Sequence, residues 1–326
     1  METRVTTASI NAYILKTGSE KCVSVSRNTL IEMLETYNDI YFDLDEELFV
    51  NDPNPDNPQP VIDVLLLVKS PYTPHIDFFK VGARYLRILS RKPANYQYFD
   101  ASCHRLMKLL LSIHDNALSI EACHILLRIL SHLPYIRTVL KDPEAFFQSL
   151  YLCLQSNEDN LAVAAAAAFQ SFAYHQPGKT YICNKGVHVK ALSLMLERPI
   201  TSPLFERLLG FLNNMSSEAV VVRSIRESGT ITEVIEALTL KPITDLTVDA
   251  AGVVQNIARE EESRKKLLEG GVIDALLNLT VSDNLQAQVR AVGAIINILG
   301  PQCDDINTLK QALSRMIALS ALGRAL

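Results

Sequence analysis

The 326-residue sequence predicts an all-α protein, a solenoid of about six stacked three-helix repeats. Two observations carry that reading. The first is a self-match: VRAVGAIINILG lies on VDAAGVVQNIAR with Gly293 on Gly252 and Asn297 on Asn256. RLLGFLNNMSS puts Gly210 and Asn214 in the same slots, and weaker copies place Ser171, Arg128 and Arg87 there. Successive slots are 41 to 43 residues apart, and a fixed period of that size on helical sequence marks stacked helical repeats. The second is a set of helix-breaking glycines, Gly186, Gly229 and Gly271, spaced 43 and 42 apart and each followed by an apolar helix. Glycine reaches left-handed backbone angles at little cost, so one helix ends there and the next leaves at a sharp angle.

Taken in order, residues 1–26 are polar, with a brief apolar run from Ile10 to Leu15, and read as a tail or a half-repeat cap. Leu30, Ile31, Leu34, Tyr37 and Tyr41 recur at three-to-four spacing and predict a helix from Arg27 to Phe42. Four prolines in Asn51 to Pro60 forbid a helix, so this stretch reads as a loop. The first clear repeat supplies helices over residues 60–69 and 74–90, and from there helices alternate with turns. Lys92-Pro93, Leu133-Pro134, Asp142-Pro143, Pro177-Gly178, Arg198-Pro199 and Lys241-Pro242 mark the stops. The alanine run Ala164 to Ala168 predicts a helix in close approach to its neighbours. Two helices in 305–326 read as a C-terminal cap, since an open array otherwise exposes its terminal stacking face. The expected division is therefore 1–59 as N-terminal cap and loop, 60–304 as the array and 305–326 as the cap.

Composition removes several classes of function. No apolar run reaches eighteen residues, so no membrane span is expected, and the N-terminus has no secretory apolar core. A net charge of −5 argues against a general nucleic-acid binder. Six scattered cysteines, lying mostly in helical segments, read as reduced buried thiols of a cytoplasmic protein. There is no phosphate loop, HExxH, GxSxG or CxxC, so the sequence reads as non-enzymatic, with neither a metal nor a cofactor.

One Gly-broken short helix and two longer ones every 42 residues resembles the armadillo repeat, closely over residues 160–300 and recognisably from about residue 60. The resemblance implies a right-handed superhelix whose third helices line a groove. The slot residues, with those seven and four before and three after, would share that wall. Asn214, Asn256 and Asn297 then form a ladder whose carboxamides hold the backbone of an extended peptide, as in the family. Lys80, Arg87, Arg128, Arg207, Arg259 and Arg290, with Ser171, complete the expected peptide-binding groove. A basic wall in an acidic chain points to an acidic or phosphorylated segment of a partner protein. Importin-α-like members carry a tryptophan four residues before each ladder asparagine. This chain has none, which disfavours capture of lysine-rich nuclear cargo and looks more like the β-catenin type. The expected function is a protein-binding scaffold or adaptor. The alternative is a structural subunit of a larger assembly, cytoskeletal or axonemal in kind, and a nuclear transport adaptor stands behind both.

Overall fold

The computed structural model describes residues 5–68 and 75–299, which form helices and turns with no strand among them. They fall into two compact units, one up to Pro177 and one from Gly178.

The first unit contains α1 (Thr7–Thr17), α2 (Ser19–Val23), α3 (Arg27–Tyr41), α4 (Glu47–Val50), α5 (Gln59–Leu66) and α6 (Ile76–Ser90). A 3₁₀ turn over Pro93–Tyr98 leads to α7 (Ala101–Ser112), α8 (Asn116–Ile129), α9 (Leu133–Val139), α10 (Glu144–Leu154) and α11 (Asp159–Phe172). The third helices α3, α6, α8 and α11 lie side by side, backed by α5, α7 and α10. Ala164 to Ala168 are all buried, and their small side chains let α11 run close along α8. Side-chain caps fix the helix starts: Asp100 accepts from Ser102 and Cys103 N–H at α7, and Asp115 from Leu118 N–H at α8.

Helix α12 (Gln176–Lys185) carries the chain into the second unit, followed by α13 (Val187–Leu196), α14 (Pro203–Met215), α15 (Ala219–Ser228) and α16 (Ile231–Leu238). Then come α17 (Asp245–Ile257), α18 (Glu261–Glu269), α19 (Val272–Thr280) and α20 (Leu285–Leu299). Here α14, α17 and α20 are the side-by-side third helices, backed by α13, α16 and α19. Gly186, Gly229 and Gly271 all take the left-handed conformation, with φ of 69°, 86° and 74°, so the expected breaks are real turns.

Three stretches differ from the sequence reading. Residues 7–23 form two helices rather than a tail, and the expected helix over 27–42, α3, packs on α6 as a further third helix. Short α4 sits in the acidic run just before the proline-rich loop, whose own residues 52–58 are non-helical. Pro177-Gly178 lies inside the first turn of α12 instead of between helices, where a proline's missing N–H has no helical partner to lose. Cys22, Cys103, Cys123 and Cys153 are buried free thiols and Cys183 is a partly buried one. The expected cap over 305–326, together with Gly300 and Cys303, lies outside the described residues.

Candidate functional site

The candidate site is the face of the third helices that carries the slot residues. Its main structural feature is a repeated cross-link. Asn256 Nδ2 donates to the Asn213 carbonyl at 3.4 Å and to Ser216 Oγ at 2.9 Å. Asn297 Nδ2 donates to the Gln255 carbonyl at 2.7 Å. In the first unit Ser171 Oγ donates to the Leu127 carbonyl at 2.6 Å. In each case the acceptor sits one residue before the preceding repeat's slot. The last four carbonyls of a helix have no partner within its backbone, so the slot side chain supplies one from the next repeat; the Asn213 carbonyl also accepts from Ser216 Oγ at 2.9 Å. Asn256 thus has both amide hydrogens turned toward the neighbouring repeat. What it offers outward is its carbonyl oxygen, which accepts no hydrogen bond among the described residues. Asn214 lies half-buried on α14 at the matching turn.

The residues just before the slots, which the sequence reading passed over, reach forward. Asn213 Nδ2 donates to Asp249 Oδ1 at 2.8 Å, and Gln255 Oε1 accepts from Arg290 Nη1 at 3.2 Å. A Cβ on Gly252 would collide with the Asn213 amide, and one on Gly293 with the Gln255 amide. The glycines four before each slot therefore make room for these bridging amides. The paired Asn213-Asn214 in the sequence was the available signal.

The cations divide into two groups. In the first unit each is already paired. Lys80 meets Asp115 at 3.1 Å, Arg87 meets Glu121 at 3.2 Å, and Arg128 takes both Glu46 oxygens at 2.7 and 2.8 Å. These three wall cations are thus each met by a carboxylate distant in sequence, Arg87 by Glu121 of the same wall. Arg91, at the C-cap of α6, joins this cluster and donates to the Phe42 carbonyl at 2.7 Å. Burial and the neighbouring Arg128 and Arg87 charges hold its guanidinium below the usual value.

In the second unit Arg207 and Arg259 are exposed and form no ion pair among the described residues. Arg259 and Asn256 line a cavity of about 260 Å³ with Ser216, Ser217, Ala219, Val222 and Glu260. The recess thus lies between the turn after α14 with the start of α15 and the C-terminal end of α17. Beside it Asp249 is half-buried, and its pKa is raised first by burial and then by Asp245, against the lowering effect of the Asn213 bond. A group of three or more His, Cys, Asp or Glu residues able to hold a metal ion does not occur among the described residues. None of their helices is long and apolar enough to cross a membrane.

No family model matches the chain. Solved structures match its fold over most of its length. An engineered protein superposes with a TM-score of 0.70 at 20% identity, covering 90% of this chain and 71% of that one. A designed armadillo repeat protein gives a TM-score of 0.62 at 17% identity, over 74% of this chain and 99% of the other. A second design, solved in complex with the peptide (KR)4, gives 0.60 at 18% identity, over 74% and 98%. Vacuolar protein 8 of Yarrowia lipolytica is 25% identical over 162 residues. That match covers 46% of this chain, and the chain spans only 26% of the yeast protein. The fold is the all-α solenoid of armadillo repeats.

Proposed function

We propose that this chain is a protein-binding scaffold that holds an extended, acidic segment of a partner along the third-helix face of its second unit. The observation that carries the reading is the recess between the α14–α15 turn with the start of α15 and the C-terminal end of α17. Its lining brings together Asn256, whose Oδ1 accepts no hydrogen bond among the described residues, the exposed Arg259, Ser216, Ser217 and Glu260, a carboxylate that Arg226 already pairs. A main-chain N–H of the partner would donate to the Asn256 oxygen. A carboxylate or phosphate would take Arg259 bidentately, with Arg207 on the adjoining rung meeting a second anion. Asn297 and Arg290 would extend the same arrangement by one repeat, with Arg290 held in place by Gln255. A peptide complex of a structurally similar design supports peptide capture as a use of this fold, although that peptide is basic. Nothing in the site is arranged for chemistry, and we read the chain as non-enzymatic.

The test uses a panel of labelled acidic, phosphorylated and basic peptides in fluorescence anisotropy against the wild-type chain and Arg207→Ala/Arg259→Ala. Both substituted side chains are exposed, so the variant keeps its fold. Acidic or phosphorylated peptides should bind the wild type and lose about tenfold or more on the variant, with affinity falling as salt rises. Equal binding by both proteins, or a preference for the basic peptides, rejects the proposal.

A further inference from the structure

We propose that the arginine face of α6 and α8 in the first unit is a second binding surface, for an acidic segment of a partner protein that carries an aromatic residue. Residues 43–51 of the chain itself are its displaceable occupant. The partner class rests on the acidic-peptide reading above, but the surface and its occupant are separate from the recess of the second unit.

The segment, together with its fixed flank Phe42, shows what the surface recognises. Arg84, Arg87 and Arg91 follow one another at helical spacing along one face of α6, and all three guanidiniums gather on the Phe42 ring. They lie 3.8, 5.0 and 5.3 Å from its centroid. The Phe49 ring lies 5.6 Å from Arg91, and between the two rings Glu46 forms the two-oxygen contact with Arg128 of α8. The segment between these rings, DLDEEL, carries four carboxylates, of which, among the described residues, Glu46 is ion-paired to a cation of this face.

The way the segment is held marks it as removable. No residue of α4 is buried, and Asp43, Asp45, Glu46, Glu47, Leu48, Val50 and Asn51 are all exposed. Glu46 is 55% exposed, and an ion pair in that setting contributes little to stability. Both flanks, by contrast, are fixed. On one side Phe42 continues α3; on the other, Asp52 and Asp56 grip Lys92 at 2.5 and 2.9 Å, and the Lys92 side chain is only 4% exposed. A short stretch with few buried contacts between two anchored ends opens locally while its flanks stay folded. Beneath it, the Nε atoms of Arg91 and Arg128 are buried without a hydrogen-bond partner. The internal segment therefore leaves donors of this face unmet, and a peptide with denser negative charge has more to bind than Glu46 takes.

The probe is a fluorescein-labelled synthetic peptide with the sequence of residues 40–52, titrated by anisotropy into the full chain. On the wild type the tethered segment competes at an effective concentration near the millimolar range, so binding should be weak. Glu46→Ala/Phe49→Ala, which loosens the occupant, should bind the probe at least about tenfold more tightly. Adding Arg128→Ala should remove that gain, whereas adding Arg207→Ala/Arg259→Ala should leave it intact. That last comparison separates this surface from the recess of the second unit. No difference between wild type and Glu46→Ala/Phe49→Ala, or no binding by either, overturns the proposal. Should the double variant not fold, hydrogen exchange on the wild type decides: amides 47–51 should exchange far faster than those of α6, and equal protection overturns it. Self-association of the double variant in sedimentation velocity would make the occupant a second copy of the chain and overturn the partner assignment.

Discussion

Replacing Asn256 by alanine tests whether the slot residues tie the repeats together. The substitution removes two hydrogen bonds, to the Asn213 carbonyl and the Ser216 hydroxyl, at a half-buried site. At about 1 kcal/mol for each bond, the cost is about 2 kcal/mol. With a urea dependence of roughly 2 kcal/mol per molar for a unit of this size, the midpoint should fall by about 1 M with the slope unchanged. Ser171→Ala and Asn297→Ala each remove one bond, so each should cost about 1 kcal/mol. Asn256→Asp is the sharper control. It keeps the shape and the outward acceptor but sets a carboxylate against the Asn213 carbonyl, so it should be at least as destabilising as alanine. Urea titrations followed by far-ultraviolet circular dichroism read all four variants. If Asn256→Ala unfolds at the wild-type midpoint, or Asn256→Asp is as stable as wild type, the cross-link reasoning fails. The slot would then have no structural role.

Three further outcomes are expected. Gly252→Ala should lower stability by about 1 kcal/mol, because its Cβ displaces the Asn213 amide from Asp249. In an Asn213→Ala background the same change should instead raise stability by up to about 1 kcal/mol through helix propensity, and chemical denaturation of the four proteins reads that reversal of sign. The folded-state pKa of Asp249 is raised, so the native state holds its proton more tightly than the unfolded chain. Stability from this group is present below the ordinary carboxylate range and lost as pH rises through the raised value, so Asp249→Asn should stabilise the protein near neutral pH and change little in acid. Urea midpoints measured on both sides of that window check it. Lys92→Met should lower stability, read as a drop in the urea midpoint, since it removes the cation that both Asp52 and Asp56 contact. Proteolysis near residues 52–56 should accelerate with it.

Much of the fold is legible because its signals are local. The 42-residue period, the left-handed turns at Gly186, Gly229 and Gly271 and the apolar spacing of residues 27–42 are each fixed within a few residues. The site is less legible because its partners are distant in sequence. Nothing near Arg128 reveals that Glu46, 82 positions earlier, folds back onto it, whereas the repeat register already puts Glu121 one rung from Arg87. A carboxamide's capacity to pair with a peptide backbone is visible in the sequence, but the end-carbonyl of the preceding repeat that Asn256 and Asn297 also serve is not. Short α4 escaped for a related reason. Four residues are too few to show a periodicity, and this helix buries no side chain.

The slot-to-carbonyl bond also has a direction. In Ser171, Asn256 and Asn297 alike the donor belongs to the later repeat and the acceptor to the earlier one. The Asn213 carbonyl of α14 already accepts from the Ser216 hydroxyl of its own repeat, but a ribosome synthesises the earlier member first, so α8 and α17 each emerge with one end-carbonyl still hydrated. It is completed only when the following forty-odd residues arrive and fold against it. Growth in this order always offers the incoming helix a waiting acceptor, and a chain arrested between these repeats would carry its loosest turn at the newest end.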